Sequence, residues 1–283
     1  MTLREYKIYF KEQVSELYSD SESSVLFGIF VQNLMDLNQV ELRKAMNNEV
    51  QEKQSEDFQR IIDELKSGKP YQQILGETEF YGLTFFVDEH VLIPRPETEE
   101  LLEFAIAKIK AGSRKSEAFK ILDIGTGSGI IPVVLKKHFP NAEVSAIDFS
   151  ENALKTARRN ADFYQAEIHF IHQDYLTGNL TEIYDVIISN PPYIGMEEED
   201  EIADSVKEFE PKMALFSPTS NALIFYEKIA EDCKNHLAEN GLVFLEINQK
   251  LGKETLELFT DVLSEVELMK DLSGNERFVW GIL

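Results

Sequence analysis

The chain has 283 residues, and at roughly 150 residues per domain that length suggests two domains, one larger than the other. With 43% hydrophobic and 11% aromatic residues it can bury real cores, which excludes intrinsic disorder as its main state. Its 28 basic against 51 acidic residues leave a formal charge of −23, which excludes a protein that holds duplex DNA or RNA mainly through phosphate contacts, since that mode needs a dense Lys/Arg footprint.

From residue 3 to about residue 68 the pattern is helical. Tyr6, Tyr9, Phe10, Val14 and Leu17 recur three and four apart, as one helix face requires. Further helices are expected over 24–37, 39–50 and 55–66. Ser23 or Ser24 can cap the first of these and Ser67-Gly68 can end the last, after which Pro70 forbids continuation. Residues 1–72 thus read as a small helical domain. Residues 73–96 are a connector: Thr78–Tyr81 and Leu83–Val87 are rich in β-formers around Gly82 and predict a hairpin, and Pro94 and Pro96 fix an extended path. A helix over 97–111 follows, then a surface loop over 112–116.

Residues 97–283 read as one α/β domain. Strands are expected over 120–124, 143–147, 168–172, 184–189, 242–247, 265–270 and 278–282, with helices over 129–138, 152–161, 221–238 and 253–263 between them. Such alternation means a doubly wound, mostly parallel sheet with helices on both faces, here of seven strands. Ligands of such sheets bind at the carboxyl ends of the strands, beside the switch point. No apolar run approaches the ~20 residues needed to span a bilayer, and the N-terminus lacks the apolar core of a signal peptide. The one cysteine, Cys233, permits neither an internal disulfide nor a multi-cysteine metal site, which fits a reducing compartment. A cytoplasmic protein is expected.

Ile121-Leu122-Asp123-Ile124-Gly125-Thr126-Gly127-Ser128-Gly129 is an apolar strand running into a glycine turn that opens a helix. Counting from Gly125, the third glycine falls at the fifth position and not the sixth, which speaks against a dinucleotide, and no Gly-Lys-Ser/Thr of a phosphate loop is present. The stretch resembles the first motif of class I S-adenosylmethionine-dependent methyltransferases, in which the preceding acid, here Asp123, contacts the methionine part of the cofactor or orders the loop. Asp148 ends the next strand, where a carboxylate can accept both ribose hydroxyls. Asp174-Tyr175 ends the third, where the acid can take the adenine amine and the aromatic can cover the ring.

Asn190-Pro191-Pro192-Tyr193 ends the fourth strand. The two prolines lock φ and remove two backbone donors, leaving acceptors aimed at the crevice. The side-chain oxygen of Asn190 and the carbonyl of Pro191 can together hold both hydrogens of an –NH₂ group, and Tyr193 offers a flat face to a planar substrate. Acceptors of this kind turn a delocalised nitrogen lone pair toward an electrophilic methyl and stabilise charge growing on nitrogen, so no strong general base is required. The tetrapeptide by itself admits adenine in DNA, bases in RNA, and glutamine in protein.

The surroundings select among these. Leu92-Ile93-Pro94-Arg95-Pro96-Glu97-Thr98-Glu99, Phe209-Glu210-Pro211 with Ala214-Leu215, and Gly274-Asn275-Glu276-Arg277 resemble the PrmC/HemK family. That resemblance implies a helical N-terminal substrate-recognition domain, a hairpin and a methyltransferase core. The implied activity is methylation of the side-chain amide of the glutamine in the Gly-Gly-Gln loop of peptide chain release factors, with S-adenosylmethionine leaving as S-adenosylhomocysteine. It implies a cofactor site at Gly125, Thr126, Gly127, Ser128, Gly129, Asp148, Tyr175 and Asn190, to which Asp123 and Asp174 are added from the strand ends. The implied substrate site is Asn190, Pro191, Pro192 and Tyr193, with Asn190, Pro191 and Tyr193 catalytic. The expected partner is a release factor, with no stable nucleic-acid binding, no membrane, no metal, and a monomeric chain. An adenine amine methyltransferase acting on DNA or RNA is the alternative.

Three features carry open readings. Arg95 and Glu97 line the same crevice or form an interdomain salt bridge. Asn248 and Leu251 stand where the family usually has Gly and Gln; Asn tolerates the left-handed backbone a Gly would adopt, so the turn is expected to survive. Glu197, Glu198, Glu199, Asp200, Glu201, Asp204, Glu208 and Glu210, opposed by Lys207, make either a solvated loop or a docking surface for a basic patch beside the glutamine loop.

Overall fold

In the computed structural model, which describes residues 1–112, 119–195, 198 and 203–283, the chain divides into two units: Met1–Gly76 with Asp204–Phe209, and Glu77–Ala203 with Glu210–Leu283. Ser113 to Ser116 of the expected surface loop lie outside the described residues, as do Glu197, Glu199, Asp200, Glu201 and the side chain of Asp204 in the acidic run. Among the described residues no helix is long and apolar enough to cross a membrane.

The first unit holds α1 (Leu3–Gln13), α2 (Asp20–Met35), α3 (Gln39–Ala45), α4 (Glu52–Lys66) and α5 (Tyr71–Leu75). Leu3, Tyr6 and Phe10 of α1, Phe27 and Phe30 of α2, and Phe58, Ile61 and Leu65 of α4 share one aromatic-rich core. Ser19, and neither Ser23 nor Ser24, caps α2: it exchanges bonds with Glu22 in a capping box, while the Ser23 and Ser24 hydroxyls turn back to Asp20 O. The helix therefore starts four residues earlier than expected. α3 ends at Ala45, short of residue 50, because the chain beyond it pairs with the N-terminus through Leu3 N to Asn48 O and Val50 N to Met1 O. Pro70 does stop α4, but it also occupies the N-cap of α5, a helix the periodicity did not reveal.

The second unit begins with β1 (Glu77–Phe80) and β2 (Leu83–Phe86), an antiparallel hairpin closed by Tyr81 and Gly82, both at positive φ as a tight two-residue turn requires. Then come α6 (Pro96–Ala111), β3 (Lys120–Ile124), α7 (Ile130–His138), β4 (Glu143–Asp148), α8 (Glu151–Phe163), β5 (Ile168–His172), β6 (Tyr184–Ser189), α9 (Asp204–Phe209, of the first unit), α10 (Lys212–Leu215), α11 (Ile224–His236), β7 (Leu237–Glu246), α12 (Gly252–Thr260), β8 (Glu265–Lys270) and β9 (Glu276–Ile282). The strands form one seven-stranded sheet in the order β5-β4-β3-β6-β7-β9-β8, parallel from β5 to β7, with β9 antiparallel to both its neighbours. This is the doubly wound sheet the alternation predicts. α11 stops two residues earlier than expected because Leu237 already pairs with Tyr184 as the first residue of β7.

Alternate strand residues face opposite layers. Ile121, Val186, Ile188 and Phe244 pack under α6 and α7, while Leu122, Ile124, Ile187 and Val243 pack against Tyr226, Ile229 and Cys233 of α11 and Phe259 of α12. Because β4 and β5 lie on one side of β3 and β6 on the other, the switch point falls between the carboxyl ends of β3 and β6.

Candidate active site

The buried apolar residues of β3 deliver the chain into a loop where Gly125, Gly127 and Gly129 all have positive φ. Gly129 has a second reason to be glycine: a Cβ there would stand 2.9 Å from the Cβ of Ala157, so α8 could not pack as closely. Asn160, fully buried on α8, donates to Ser128 O at 2.8 Å and exchanges bonds with the backbone of Phe86, tying the loop to the hairpin. The N–H groups of Gly125 and Thr126 both donate to Ile147 O on β4.

At the end of β4, Asp148 accepts from Gly127 N on one oxygen and from Ser150 N on the other, each at 2.8 Å. Burial raises its carboxyl above the ordinary range, and these two N–H groups oppose the rise. At the end of β5, Asp174 accepts from Leu176 N and from the Thr177 hydroxyl. Between these ends opens a cavity of about 500 Å³. Gly125, Gly127, Asp148, Asp174, Tyr175, Asn190 and Pro192 line it. Asp123, Thr126, Ser128, Gly129, Pro191 and Tyr193 lie outside the lining.

Asp123 has no exposed surface, and neither of its oxygens finds a hydrogen-bond partner; the Thr126 hydroxyl beside it is buried and likewise unpaired. Burial pushes the Asp123 carboxyl up to about 7; the nearby Thr126 hydroxyl pulls the other way although its geometry falls short of a hydrogen bond, and Asp148 adds to the rise. Tyr175 is packed into the core with its hydroxyl donated to Asp232 at 2.7 Å. The exposed aromatic at the cavity is Phe149, 58% accessible, which sequence reasoning passed over although it follows Asp148 directly. His90 to Leu92, Gln173 with its unpaired Nε2, and Met213 and Phe216 to Pro218 also line the cavity without having been foreseen.

The tetrapeptide leaves β6 with Gly125 as its neighbour: a Cβ on Gly125 would lie 3.9 Å from Asn190 O and from Pro191 Cα. Asn190 Nδ2 donates to Thr98 Oγ1 at 3.1 Å, so the side-chain oxygen is the atom left for another partner. Thr98 donates in turn to Glu246 Oε2 at 2.7 Å, and Tyr193 donates to Glu246 Oε1 at 3.3 Å. Glu246, at the end of β7, is 1% exposed. Burial pushes its carboxyl up to about 7 against the Thr98 hydroxyl and the Arg277 charge, with Glu97 adding to the rise.

Arg95 pairs with Glu210 at 2.6 Å, and Glu210 also accepts from Ile93 N at 3.0 Å. Both partners belong to the second unit, so the expected ion pair exists but is not interdomain, and neither Arg95 nor Glu97 lines the cavity. Asn248 departs from expectation too. Its φ of −65° is not left-handed; it caps the turn Gln249–Leu251 through Lys250 N and donates to Tyr193 O at 3.2 Å and to Glu198 Oε1 at 2.7 Å. Glu198 is thus anchored within the site and is not a solvated charge, and Glu210 is buried.

The methyltransferase small domain family matches residues 107–209. A release factor glutamine methyltransferase of Flavobacterium psychrophilum is 42% identical over 282 residues, covering 99% of this chain and 98% of that one. A release factor glutamine methyltransferase of Lactococcus lactis is 37% identical, covering 95% and 97%. Among solved structures, a methyltransferase from Pyrococcus furiosus superposes with a TM-score of 0.51 at 20% identity, covering 72% of this chain and 90% of that one, a likeness of fold. With relatives this similar along nearly its whole length, the chain belongs to the release factor glutamine methyltransferase family.

Proposed function

We propose that this chain transfers a methyl group from S-adenosylmethionine to the side-chain amide nitrogen of the glutamine in the Gly-Gly-Gln loop of peptide chain release factors. The observation that carries this reading is the position of Asn190: its amide nitrogen is committed to Thr98, its oxygen is free to accept, and it lines the same cavity as Gly125 and Asp148. The residues present fit the cofactor. A cavity of about 500 Å³ lies within the range of small-molecule sites, a glycine loop offers close backbone approach, and Gln173 Nε2 is a buried donor without a partner.

When bound, the cofactor supplies an electrophilic sulfonium methyl. Gly125 and Gly127 would hold its methionine part, Asp148 would accept from the ribose hydroxyls with the lone pairs its backbone donors leave over, and Asp174 would accept from the adenine amine. Asn190 Oδ1 and Pro191 O accept the two hydrogens of the target amide, which orients the nitrogen lone pair and stabilises positive charge there. Tyr193, whose hydroxyl donates to Glu246, would wall the amide site. The methylated amide is strongly acidic until it loses a proton, so a water or carbonyl suffices to take it.

Incubating the chain with methyl-labelled S-adenosylmethionine and either a release factor or DNA tests this. Label on the glutamine supports it; label on adenine, or none, overturns it.

A further inference from the structure

Asn190, Thr98 and Glu246 come from three separate places, the residue after β6, the first turn of α6 and the end of β7, yet they form a single line of hydrogen bonds at 3.1 and 2.7 Å. Thr98 and Glu246 are 2% and 1% exposed and do not themselves line the cavity; they reach it through Asn190, which does. Direction matters in such a line. With Glu246 ionised its carboxylate only accepts, so the Thr98 hydroxyl spends its one proton on Glu246 and offers Asn190 only a lone pair. Asn190 must then present its –NH₂ to Thr98 and its oxygen to the cavity. Resting on the proposed amide methylation, we infer that Glu246 and Thr98 are positioning residues that fix which way round the Asn190 amide stands.

The geometry supports a built device and not a chance contact. Glu246 is held at both carboxylate oxygens, by Thr98 and by Tyr193, and its backbone carbonyl accepts from the Tyr226 hydroxyl at 3.0 Å. Thr98 lies in the first turn of α6, whose start is set by Pro96 and by the clamp of Glu210 on Ile93 and Arg95. Tyr193, the other flank of the proposed amide site, shares the same carboxyl group, so one buried Glu246 orders both side chains. An amide and its flipped form differ little in shape, and packing alone discriminates poorly between them; a directional hydrogen bond discriminates well.

Glu246→Gln removes the constraint without changing size. A glutamine can donate to Thr98, which then donates to Asn190 Oδ1 and turns its –NH₂ toward the substrate, where it repels the hydrogens it should accept. Thr98→Val deletes the link, and Thr98→Ser keeps it. With release factor as methyl acceptor, Glu246→Gln and Thr98→Val should lower kcat by about 10- to 100-fold while S-adenosylhomocysteine affinity stays close to wild type, and Thr98→Ser should restore turnover. In an Asn190→Ala background Thr98→Val should cost nothing more, because its effect runs through Asn190. Thr98→Val at full kcat, or an equal loss in the Asn190→Ala background, overturns the relay. A measurement free of the substrate assignment is nitrogen NMR of the Asn190 side-chain –NH₂: slow exchange in wild type and Thr98→Ser with fast exchange in Thr98→Val supports the relay, and exchange that Thr98→Val leaves unchanged overturns it. Wild-type chain that labels no release factor would sink the proposed substrate and leave the NMR result standing.

Discussion

Gly127 donates its backbone N–H to Asp148 Oδ2 at 2.8 Å, so the acid at the end of one strand is a structural part of the glycine loop at the end of its neighbour. Ser150 N holds the other oxygen, and the carboxylate is thereby aimed before any ligand arrives. Asp148→Ala should weaken S-adenosylhomocysteine binding by about 1 to 3 kcal/mol, through lost ribose acceptors and through a loosened loop. Calorimetric titration measures it. Unchanged affinity would move the ribose contact to another residue.

Asn190→Ala should act on the chemical step instead. The variant keeps the cavity and the glycine loop but loses the acceptor that orients the amide, so turnover should fall by about two orders of magnitude while cofactor affinity changes only a few-fold. Single-turnover rates at saturating cofactor decide the matter, and rates near wild type would remove Asn190 from the reaction.

How far the site could be read in advance depended on sequence separation. Gly125 to Gly129 and Asn190 to Tyr193 are contiguous, and each follows an unmistakable apolar strand, so the motif, the strand end and the chemistry could be read together. The Asn190–Thr98 and Thr98–Glu246 bonds span 92 and 148 positions, and Ile93–Glu210 spans 117. No local pattern encodes such pairs; only the sheet order that sets β6 beside β3 and β7 creates them. Tyr175 shows the reverse limit. Its place after β5 suggested a ring over adenine, whereas its hydroxyl is committed to Asp232 inside the core. Helix starts failed for a different reason, since Ser19, Ser23 and Ser24 all qualify as caps and only the glutamate three residues after Ser19 tells them apart.

Glu210 is a stability prediction. It is buried, accepts from Ile93 N and pairs with Arg95, so Glu210→Ala strands a buried backbone donor and half of an ion pair together. Breaking a buried pair from one side costs about 3 to 5 kcal/mol, discounted here because Arg95 is 34% exposed, to about 2 to 3. Urea titration should show the midpoint falling with an unchanged slope. A loss under about 0.5 kcal/mol would mean that water replaces Glu210 at both contacts.

Asp123 makes a prediction about pH. Its folded carboxyl is pushed by burial to about 7, above its ordinary value of 3.8. Across that window the folded chain holds a proton that the unfolded chain has released, so the contribution of Asp123 to stability falls as pH rises from about 4 to about 7. Asp123→Asn cannot titrate. The Tm of the variant relative to wild type should therefore improve between about pH 5 and about pH 8, read by thermal scans at fixed ionic strength. A difference that stays flat would show Asp123 ionised throughout.

On the proposed reading the substrate amide would meet few groups: two acceptors, at Asn190 and Pro191, and the ring of Tyr193. Such contacts orient a small amide but supply little binding energy, and energy gathered remote from the reacting nitrogen is what holds the amide in place for transfer. A Gly-Gly-Gln peptide should therefore be methylated with a kcat/KM at least about a hundredfold below that of folded release factor. The helical unit Met1–Gly76 has its own aromatic core, and we propose it as the source of further substrate contacts. Replacing its exposed apolar Ile8, Val25 and Val40 with serine tests that assignment without deleting the unit, because none of the three belongs to the core. If the unit binds substrate through them, kcat/KM should fall for the release factor and stay unchanged for the peptide, with cofactor affinity constant. Equal kcat/KM on release factor before and after substitution would assign recognition to another surface, and a peptide as good as the whole factor would mean that the amide pocket alone selects the substrate.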